Sequence, residues 1–261
     1  MHATRDRDPR SIIKNRAQGY EWEDGQLVSR DHSLTDVFSA GASVSTVQDL
    51  SKWEAGFVGG KLLKRSSVEQ IWTPVRLNSG ETYPYGFGWY IETLRGHQVR
   101  RHTGQTAGFA SSIAVFPEDR LSVIVLCNIG TGGVAGRIGQ TVAKLYVSAL
   151  SLRTLEIQPD GDMQTGARLY ELIKKQLAGE TDSAVLTKEA RDSLATDSAR
   201  ATWQRIAAYG TLRKFDFVGR DIDGYGGGLF YRAEVGDHLL LMKFVLNSAG
   251  RISDLSLEEE E

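Results

Sequence analysis

One short segment, Gln158-Pro159-Asp160-Gly161-Asp162, constrains the fold most, because it separates two stretches of helical periodicity with residues typical of turns. Proline and glycine this close together disfavour both a continuous helix and a continuous strand. A chain of 261 residues is also long enough for two domains of ordinary size. We therefore predict a first domain over residues 1–157, a linker over 158–166 and a second domain over 167–261.

The first domain is predicted to be a mostly antiparallel sheet that carries helices. Apolar residues recur at helical spacing over 49–58, behind the cap region Ser45-Thr46, and again over 134–150. Between these helices the apolar pattern is that of consecutive strands, which favours hairpins over parallel pairing. The predicted strands cover 85–92, 98–103, 111–116 and 121–128, with a polar turn at 117–120 before the last.

The second domain shows helical patterns first and strand patterns after them. This order is typical of an α+β domain with segregated layers, and faintly resembles the cone-shaped NTF2-like fold. The chain as a whole is therefore assigned to the α+β class. Aromatic residues at strand spacing fit a core better than a ligand cup, and the glycines of 224–228 fit a hairpin or bulge. The aromatic residues are Phe215, Phe217, Phe230, Tyr231 and Phe244.

Composition argues against several classes of partner. With 31 basic and 33 acidic residues, the formal net charge is −2, so no basic surface for nucleic acid is predicted. The longest apolar run, 121–127, is too short to span a bilayer, and the first fifteen residues lack the apolar segment of a signal peptide. The single cysteine, Cys127, permits no internal disulfide and leaves the cellular compartment open. The histidines show no metal-ligand spacing, so neither a metal nor a cofactor is predicted.

A candidate ligand site lies where the predicted strand 98–103 runs into small residues and glycines. Here His102 and Thr103 precede Gly104, and the segment continues through Gln105. Glycine lets a ligand approach the backbone closely, and the neighbouring polar groups could orient it. The plainer interpretation is a strand that ends in a glycine turn.

A possible nucleophile motif, Ser-x-x-Lys, occurs at Ser11-Ile12-Ile13-Lys14, whereas no Gly-x-Ser-x-Gly elbow is found. On a helix the lysine would share a face with the serine and could accept its proton. The motif nevertheless lies in a polar arm just after Pro9. Because so short a pattern occurs by chance often, we interpret it as non-catalytic.

An alternative function is suggested by the glycine-rich run over 130–135, which fits the dinucleotide-binding pattern G-x-G-x-x-A, with Glu156 further along the chain. The pyrophosphate would rest on the N-terminus of the following helix. However, a dinucleotide-binding fold alternates strands with helices, whereas the strands before this run are consecutive. A glycine-rich turn without a ligand is the favoured interpretation.

Three motifs, in a fixed order, resemble the serine β-lactamase family, in the branch of class C enzymes, D-alanyl-D-alanine carboxypeptidases and related esterases. The first is the run Ser39-Ala40-Gly41-Ala42-Ser43-Val44-Ser45-Thr46-Val47-Gln48-Asp49-Leu50-Ser51-Lys52-Trp53. The second is Tyr85-Gly86-Phe87-Gly88-Trp89, and the third is His102-Thr103-Gly104. The resemblance covers about residues 10 to 150 and implies a hydrolase that acts through a serine ester.

The resemblance implies roles for the third motif. Its strand would line the active site, His102 and Thr103 would contact substrate beside Gly104, and the backbone N–H of Gln105 would be an oxyanion donor. Most of the family has lysine where this chain has His102. A mostly neutral imidazole should hold a substrate carboxylate less firmly, so β-lactam or D-Ala-D-Ala specificity is in doubt and an ester or another peptide remains open.

The family's catalytic Ser-x-x-Lys and Tyr-x-Asn both precede the matched motifs, and this chain has no Tyr-x-Asn. Residues 16–20 resemble a segment that follows both motifs in the family. Ser11 and Lys14 would therefore lie past the position of the nucleophile, and we interpret their Ser-x-x-Lys pattern as a chance match. We expect the C-terminal part of a hydrolase that is inactive by itself, joined to an accessory domain. The complete enzyme would bind a small-molecule or peptide substrate. The incomplete domain could self-associate through an exposed edge. Complete family members are often exported, although no signal peptide is visible in this chain. The alternative is a non-catalytic binding module.

Overall fold

The computed structural model describes residues 1–7, 10–30, 38–131, 133–220, 222 and 227–260. Pro9, Gly132 and the glycines of 224–226, which the sequence analysis named, lie outside these residues. The chain forms two compact units, Met1–Val147 and Ser148–Glu261. Both combine helices with antiparallel sheets, as the predicted α+β class requires.

In the first unit the helices are α1 (Phe38–Gly41), α2 (Val47–Val58), α3 (Arg65–Ile71) and α4 (Val134–Tyr146). The short strands are β1 (Arg5–Asp6), β2 (Tyr20–Glu23), β3 (Gln26–Ser29), β4 (Ser43–Val44), β5 (Val75–Arg76) and β6 (Thr82–Tyr83). The longer strands are β7 (Tyr90–Leu94), β8 (His97–Thr106), β9 (Phe109–Phe116) and β10 (Leu121–Cys127). Among the described residues, no helix is long and apolar enough to cross a membrane.

The main sheet of this unit is a meander in the order β10-β9-β8-β7, with every pair antiparallel. Its two faces are covered differently, because successive side chains of a strand point to opposite sides. Ile113 and Val115 of β9 pack with Phe57, Val68 and Trp89 in an apolar cluster. Ser112 lies on the opposite face, beside α4.

The predicted strand over 85–92 is wrong in its first half. Residues 86–89 form a turn, flanked by an isolated bridge between Tyr85 and Tyr90, and β7 begins only at Tyr90. Gly88 has a φ of 79°, a conformation that favours glycine. The turn therefore forms where alternation of apolar residues suggested a continuous strand.

Asp49 joins the start of the chain to α2. The side chain is 4% exposed. Its Oδ2 accepts hydrogen bonds from the backbone N–H groups of His2, Ala3 and Thr4 at 2.8, 2.7 and 3.0 Å. Its own N–H donates to Oγ1 of the helix cap Thr46 at 3.2 Å. Burial alone would raise the pKa of Asp49, but the hydrogen bonds from residues 2–4 outweigh burial and lower the pKa to about 2.

The second unit follows the predicted order of helices and then strands. The helices are α5 (Met163–Leu177), α6 (Lys188–Leu194) and α7 (Asp197–Ala207). The strands β11 (Leu212–Arg220), β12 (Leu229–Val235), β13 (His238–Leu246) and β14 (Ile252–Glu260) pair antiparallel in chain order. The five aromatic residues assigned to the core lie in apolar clusters of this unit. Its resemblance to the NTF2-like fold stays a prediction.

The boundary between the units differs from the predicted linker over 158–166. Leu150 and Leu152 are completely buried, and Leu152 packs with Val218 and Phe230 of the second unit. Gln158 donates its backbone N–H to the carbonyl of Phe217 at 2.9 Å, and α5 already begins inside the predicted linker. Turn residues marked a real break in helical periodicity, but tertiary packing places residues 148–162 in the second unit.

The first prediction concerns Asp49 and acid. Because folding lowers its pKa from 3.8 to about 2, its ionised form stabilises the fold above about pH 4, and this contribution disappears as the pH falls toward 2. The difference in Tm between wild type and Asp49→Asn should therefore shrink over that interval. Thermal unfolding at a series of pH values measures it, with the exposed Glu69→Gln as control. A constant difference down to pH 2 would contradict the assignment.

A second prediction follows from the boundary. A fragment of residues 148–261 should unfold cooperatively in urea, whereas 158–261 should be less stable, because it lacks the completely buried Leu150 and Leu152. Loss of such a side chain costs about 2–5 kcal/mol. Leu152→Ala in the longer fragment should reproduce part of this loss, because Leu152 packs with Val218 and Phe230. Equal urea midpoints for the two fragments would show that residues 148–157 do not belong to this core.

Candidate functional site

The four residues selected from the sequence, His102, Thr103, Gly104 and Gln105, lie in succession on β8 near one end of the main sheet. This strand is longer than its neighbour β7. Pairing with β7 stops at Arg101, whereas pairing with β9 continues to Thr106. Among the described residues, the segment 102–106 therefore pairs with a strand on one side only, and its other side is an open edge with no paired strand.

The register determines which backbone groups face that edge. A two-residue turn, Ala107-Gly108, joins β8 to β9, and Thr106 pairs with Phe109 across it. The pair that flanks such a turn exchanges both hydrogen bonds, and every second pair along an antiparallel ladder does the same. The backbone N–H groups of Thr103 and Gln105 consequently point away from β9, toward the open edge. Both residues are exposed, so a ligand could reach these donors.

Gly104 is required by its neighbour on β9. It pairs with Ser111, and a Cβ placed on Gly104 would lie 2.6 Å from the Ser111 Oγ. Real contacts of a Cβ are never that short, so a larger residue would displace the serine or the strand. The glycine thus leaves room for Ser111 beside the candidate site.

Gln105 contributes its side chain as well as its backbone. Its Nε2 donates to the carbonyl of Gly130 at 3.1 Å. In the same region Gly108 donates its N–H to Oε1 of Glu21 at 3.0 Å, and Gly130 donates its N–H to the carbonyl of Tyr20 at 2.8 Å. These bonds tie the chain after β10 to the end of the β8–β9 hairpin.

The dinucleotide-binding alternative for residues 130–135 is wrong on topological grounds. That fold needs parallel strands linked through helices, whereas β7 to β10 are antiparallel. Gly133 caps α4 with a φ of 74°, and a Cβ on Gly130 would lie 2.8 Å from Oε1 of Glu21. The described glycines of this run therefore serve turn geometry and close packing.

His102 lies in a small cluster of rings. Its Nε2 is 2.9 Å from the hydroxyl of Tyr85, and its ring stacks on Tyr90, with centroids 5.9 Å apart and planes 23° apart. Tyr85 and Tyr90 meet edge to face at 4.8 Å. The sequence analysis did not assign either tyrosine to the site. The available signal was Tyr85 in the second matched motif, but no periodicity connects it to a histidine 17 positions away.

Arg101 is engaged with other partners. Its guanidinium forms an ion pair with both carboxylate oxygens of Glu92 and lies 5.3 Å from the centre of the Tyr90 ring. The cationic residue before His102 is therefore paired within β7 and β8. Within the motif His102-Thr103-Gly104, the imidazole of His102 is the ionisable group, and it lies at the start of the open edge.

Ser11 and Lys14 lack the arrangement that proton transfer would require. They lie in an irregular, exposed segment rather than on a helix, so no shared helical face brings them together. No group of three or more metal-ligating side chains occurs among the residues that the structure describes. The residues of β8 are thus the candidate site that the geometry supports.

Comparison with known proteins identifies the family of the first unit. Residues 1–147 match the model of the Beta-lactamase family. Penicillin-binding protein 4* of Bacillus subtilis is 29% identical over 96 residues, which cover 36% of this chain and 21% of that protein. A D-aminopeptidase of Cereibacter sphaeroides is 31% identical over 111 residues, covering 42% of this chain and 21% of that protein. The matched part of the chain thus spans about a fifth of these curated relatives.

Solved structures provide an independent comparison of the fold. The octameric penicillin-binding protein homologue from Pyrococcus abyssi aligns with a TM-score of 0.50 and 17% identity, over 99% of this chain and 52% of that one. At this identity the match supports a shared fold only. The family model, by contrast, matches more than half of the 261 residues and includes the whole candidate site. The chain therefore belongs to the beta-lactamase family.

Proposed function

We propose that the first unit is the substrate-binding wall of a serine hydrolase, along which an acyl substrate lies as an added strand. The observation that carries the proposal is the open edge of β8, where pairing with β7 ends at Arg101 and pairing with β9 does not. An extended substrate could exchange backbone hydrogen bonds with Thr103 and Gln105 at this edge. His102, at the start of the edge, would contact the substrate beside them.

Acyl transfer explains why such donors would matter. A nucleophilic serine attacks the carbonyl carbon, and the carbonyl oxygen gains negative charge in the tetrahedral intermediate. The backbone N–H of Gln105 is proposed as one donor to that oxygen. Collapse of the intermediate expels the leaving group, and water then hydrolyses the serine ester. Positioned donors of this kind act in the transition state and contribute about 2.7–4 kcal/mol each.

The nucleophile and its base are proposed to come from residues outside this sequence. The 261 residues contain no Tyr-x-Asn, and their Ser-x-x-Lys at Ser11 is neither helical nor enclosed. A non-catalytic binding module would use the same open edge without chemistry. The coding sequence directly before Met1 distinguishes the two: an in-frame Ser-x-x-Lys followed by Tyr-x-Asn favours the hydrolase, and a promoter with a start site favours the module.

The substrate class is proposed from His102. A lysine would hold a substrate carboxylate by charge, whereas an imidazole in its neutral form relies on hydrogen bonding. Esters and amides without an essential carboxylate therefore suit this site better than β-lactams. The partial identity to a D-aminopeptidase supports a peptide or amide within that class.

We predict that the chain alone does not react with a fluorescent penicillin or a fluorophosphonate probe. Where catalytic groups act as a unit, loss of the nucleophile alone can cost about 10⁶ in kcat. Intact-mass spectrometry after incubation should show no adduct. The decisive control is Ser11→Ala. Stoichiometric labelling that disappears in this variant would make Ser11 a nucleophile and overturn the proposal.

A further prediction concerns charge at position 102. His102→Lys should strengthen binding of N-acetyl-D-alanyl-D-alanine by up to about 1 kcal/mol, because a surface ion pair contributes about that much. Binding of the same peptide with a C-terminal amide should not change. NMR titrations measure both affinities, and Gln98→Lys adds the same charge elsewhere on β8 as a control. Equal effects of the two lysines, or on the two peptides, would contradict a specific role for His102.

A further inference from the structure

The turn that precedes β7 places a tyrosine hydroxyl on the ring of His102. The distance from the Tyr85 hydroxyl to the His102 Nε2 is 2.9 Å, and both side chains are half-buried. Tyr90 completes the group by stacking on the imidazole. We propose that Tyr85 is a positioning residue, which holds His102 in one ring orientation and one tautomer at the open edge of β8. Its consequence for substrate binding rests on the proposed function, whereas the positioning itself does not.

The backbone around Tyr85 is tightly determined, which a positioning role requires. Val75 donates its N–H to the carbonyl of Tyr85 at 2.9 Å, and Gly86 donates its N–H to the carbonyl of Trp89 at 2.8 Å. A Cβ on Gly86 would lie 2.1 Å from the carbonyl oxygen of Ile71, so only glycine fits there. These contacts leave Tyr85 little freedom to move relative to β8.

Trp89 anchors the other end of the turn. It is 6% exposed and stacks on Phe57 and Trp53, with ring centroids 6.1 and 6.5 Å apart. A buried aromatic side chain of this kind resists displacement, because moving it would open a cavity in the apolar cluster. The Tyr-Gly-x-Gly-Trp motif thus has a physical explanation: its glycines shape the turn, Trp89 fixes it, and Tyr85 reaches His102.

The hydrogen bond between Tyr85 and His102 determines which nitrogen of the imidazole carries the proton. In a neutral histidine one ring nitrogen carries the proton and the other accepts a hydrogen bond. When the Tyr85 hydroxyl donates to Nε2, the proton resides on Nδ1, and this N–H becomes available as a donor. Acyl substrates present carbonyl and carboxylate oxygens, which are acceptors. A fixed Nδ1–H tautomer therefore matches the ligands that the open edge would bind, without the entropic cost of ordering the ring during binding.

The experiment compares Tyr85→Phe, which removes only the hydroxyl, with Tyr83→Phe, whose exposed side chain lies outside the ring cluster. Ring nitrogen resonances of histidine are recorded on the full ¹⁵N-labelled chain at about pH 8.5, where imidazole is neutral. His102→Gln identifies the His102 signals. Wild type and Tyr83→Phe should show one Nδ1–H tautomer, and Tyr85→Phe should show a mixture. The indole signal of Trp89 should stay unchanged in both, which verifies that the turn is intact.

A single Nδ1–H tautomer that persists in Tyr85→Phe, or a mixture already present in wild type, would overturn the inference. A change of equal size in Tyr83→Phe would do the same. Titration with N-acetyl-D-alaninamide then separates positioning from the proposed function. Tyr85→Phe should weaken binding about fivefold, because binding must then order the ring and tautomer of His102. If wild type binds no such ligand while the tautomer still depends on Tyr85, the substrate role of the edge fails and the positioning role stands.

Discussion

The unequal length of two neighbouring strands is the constraint on which the candidate site depends. If β7 continued beside β8 past Arg101, the backbone donors of Thr103 and Gln105 would be satisfied within the sheet and unavailable to a ligand. Instead the chain turns at residues 86–89, so β7 begins at Tyr90. An exposed strand edge is ordinarily an aggregation hazard, and a protein that retains one benefits from a partner for it. The substrate proposed for this edge would be such a partner.

The same turn links the site to the stability of the first unit. Trp89 lies in the apolar cluster that joins α2, α3 and β9, so the elements that bury the core also determine where β7 starts. Aromatic rings meet here both face to face and edge to face, the arrangements that such pairs prefer. The turn whose first residue, Tyr85, contacts His102 therefore ends at Trp89 in this apolar cluster. Preorganisation of this kind lowers the entropic cost of ordering the site when a ligand binds.

The second unit has a core of its own, between three helices and a four-stranded antiparallel sheet. Its aromatic residues are consistent with that role: Phe215 stacks on Tyr231 at 4.5 Å, and Tyr231 donates its hydroxyl to Asp160 at 2.7 Å. Burial, together with the carboxylate of Asp160, raises the pKa of Tyr231 above its ordinary range. Asp160, part of a turn segment in the sequence, is thus a half-buried partner of the sheet.

The sequence by itself determined the α+β class, the order of helices and strands and the main hairpins, because periodicity and turn residues are local signals. Only the tertiary structure decided the boundary at Val147, the late start of β7 and the pairing of Tyr85 with His102. Each of these depends on residues distant in the chain: Leu152 is buried by strands far downstream, and Gly86 is held against the carbonyl of Ile71. Contacts of that kind leave no repeating pattern in the sequence, so packing in three dimensions must decide them.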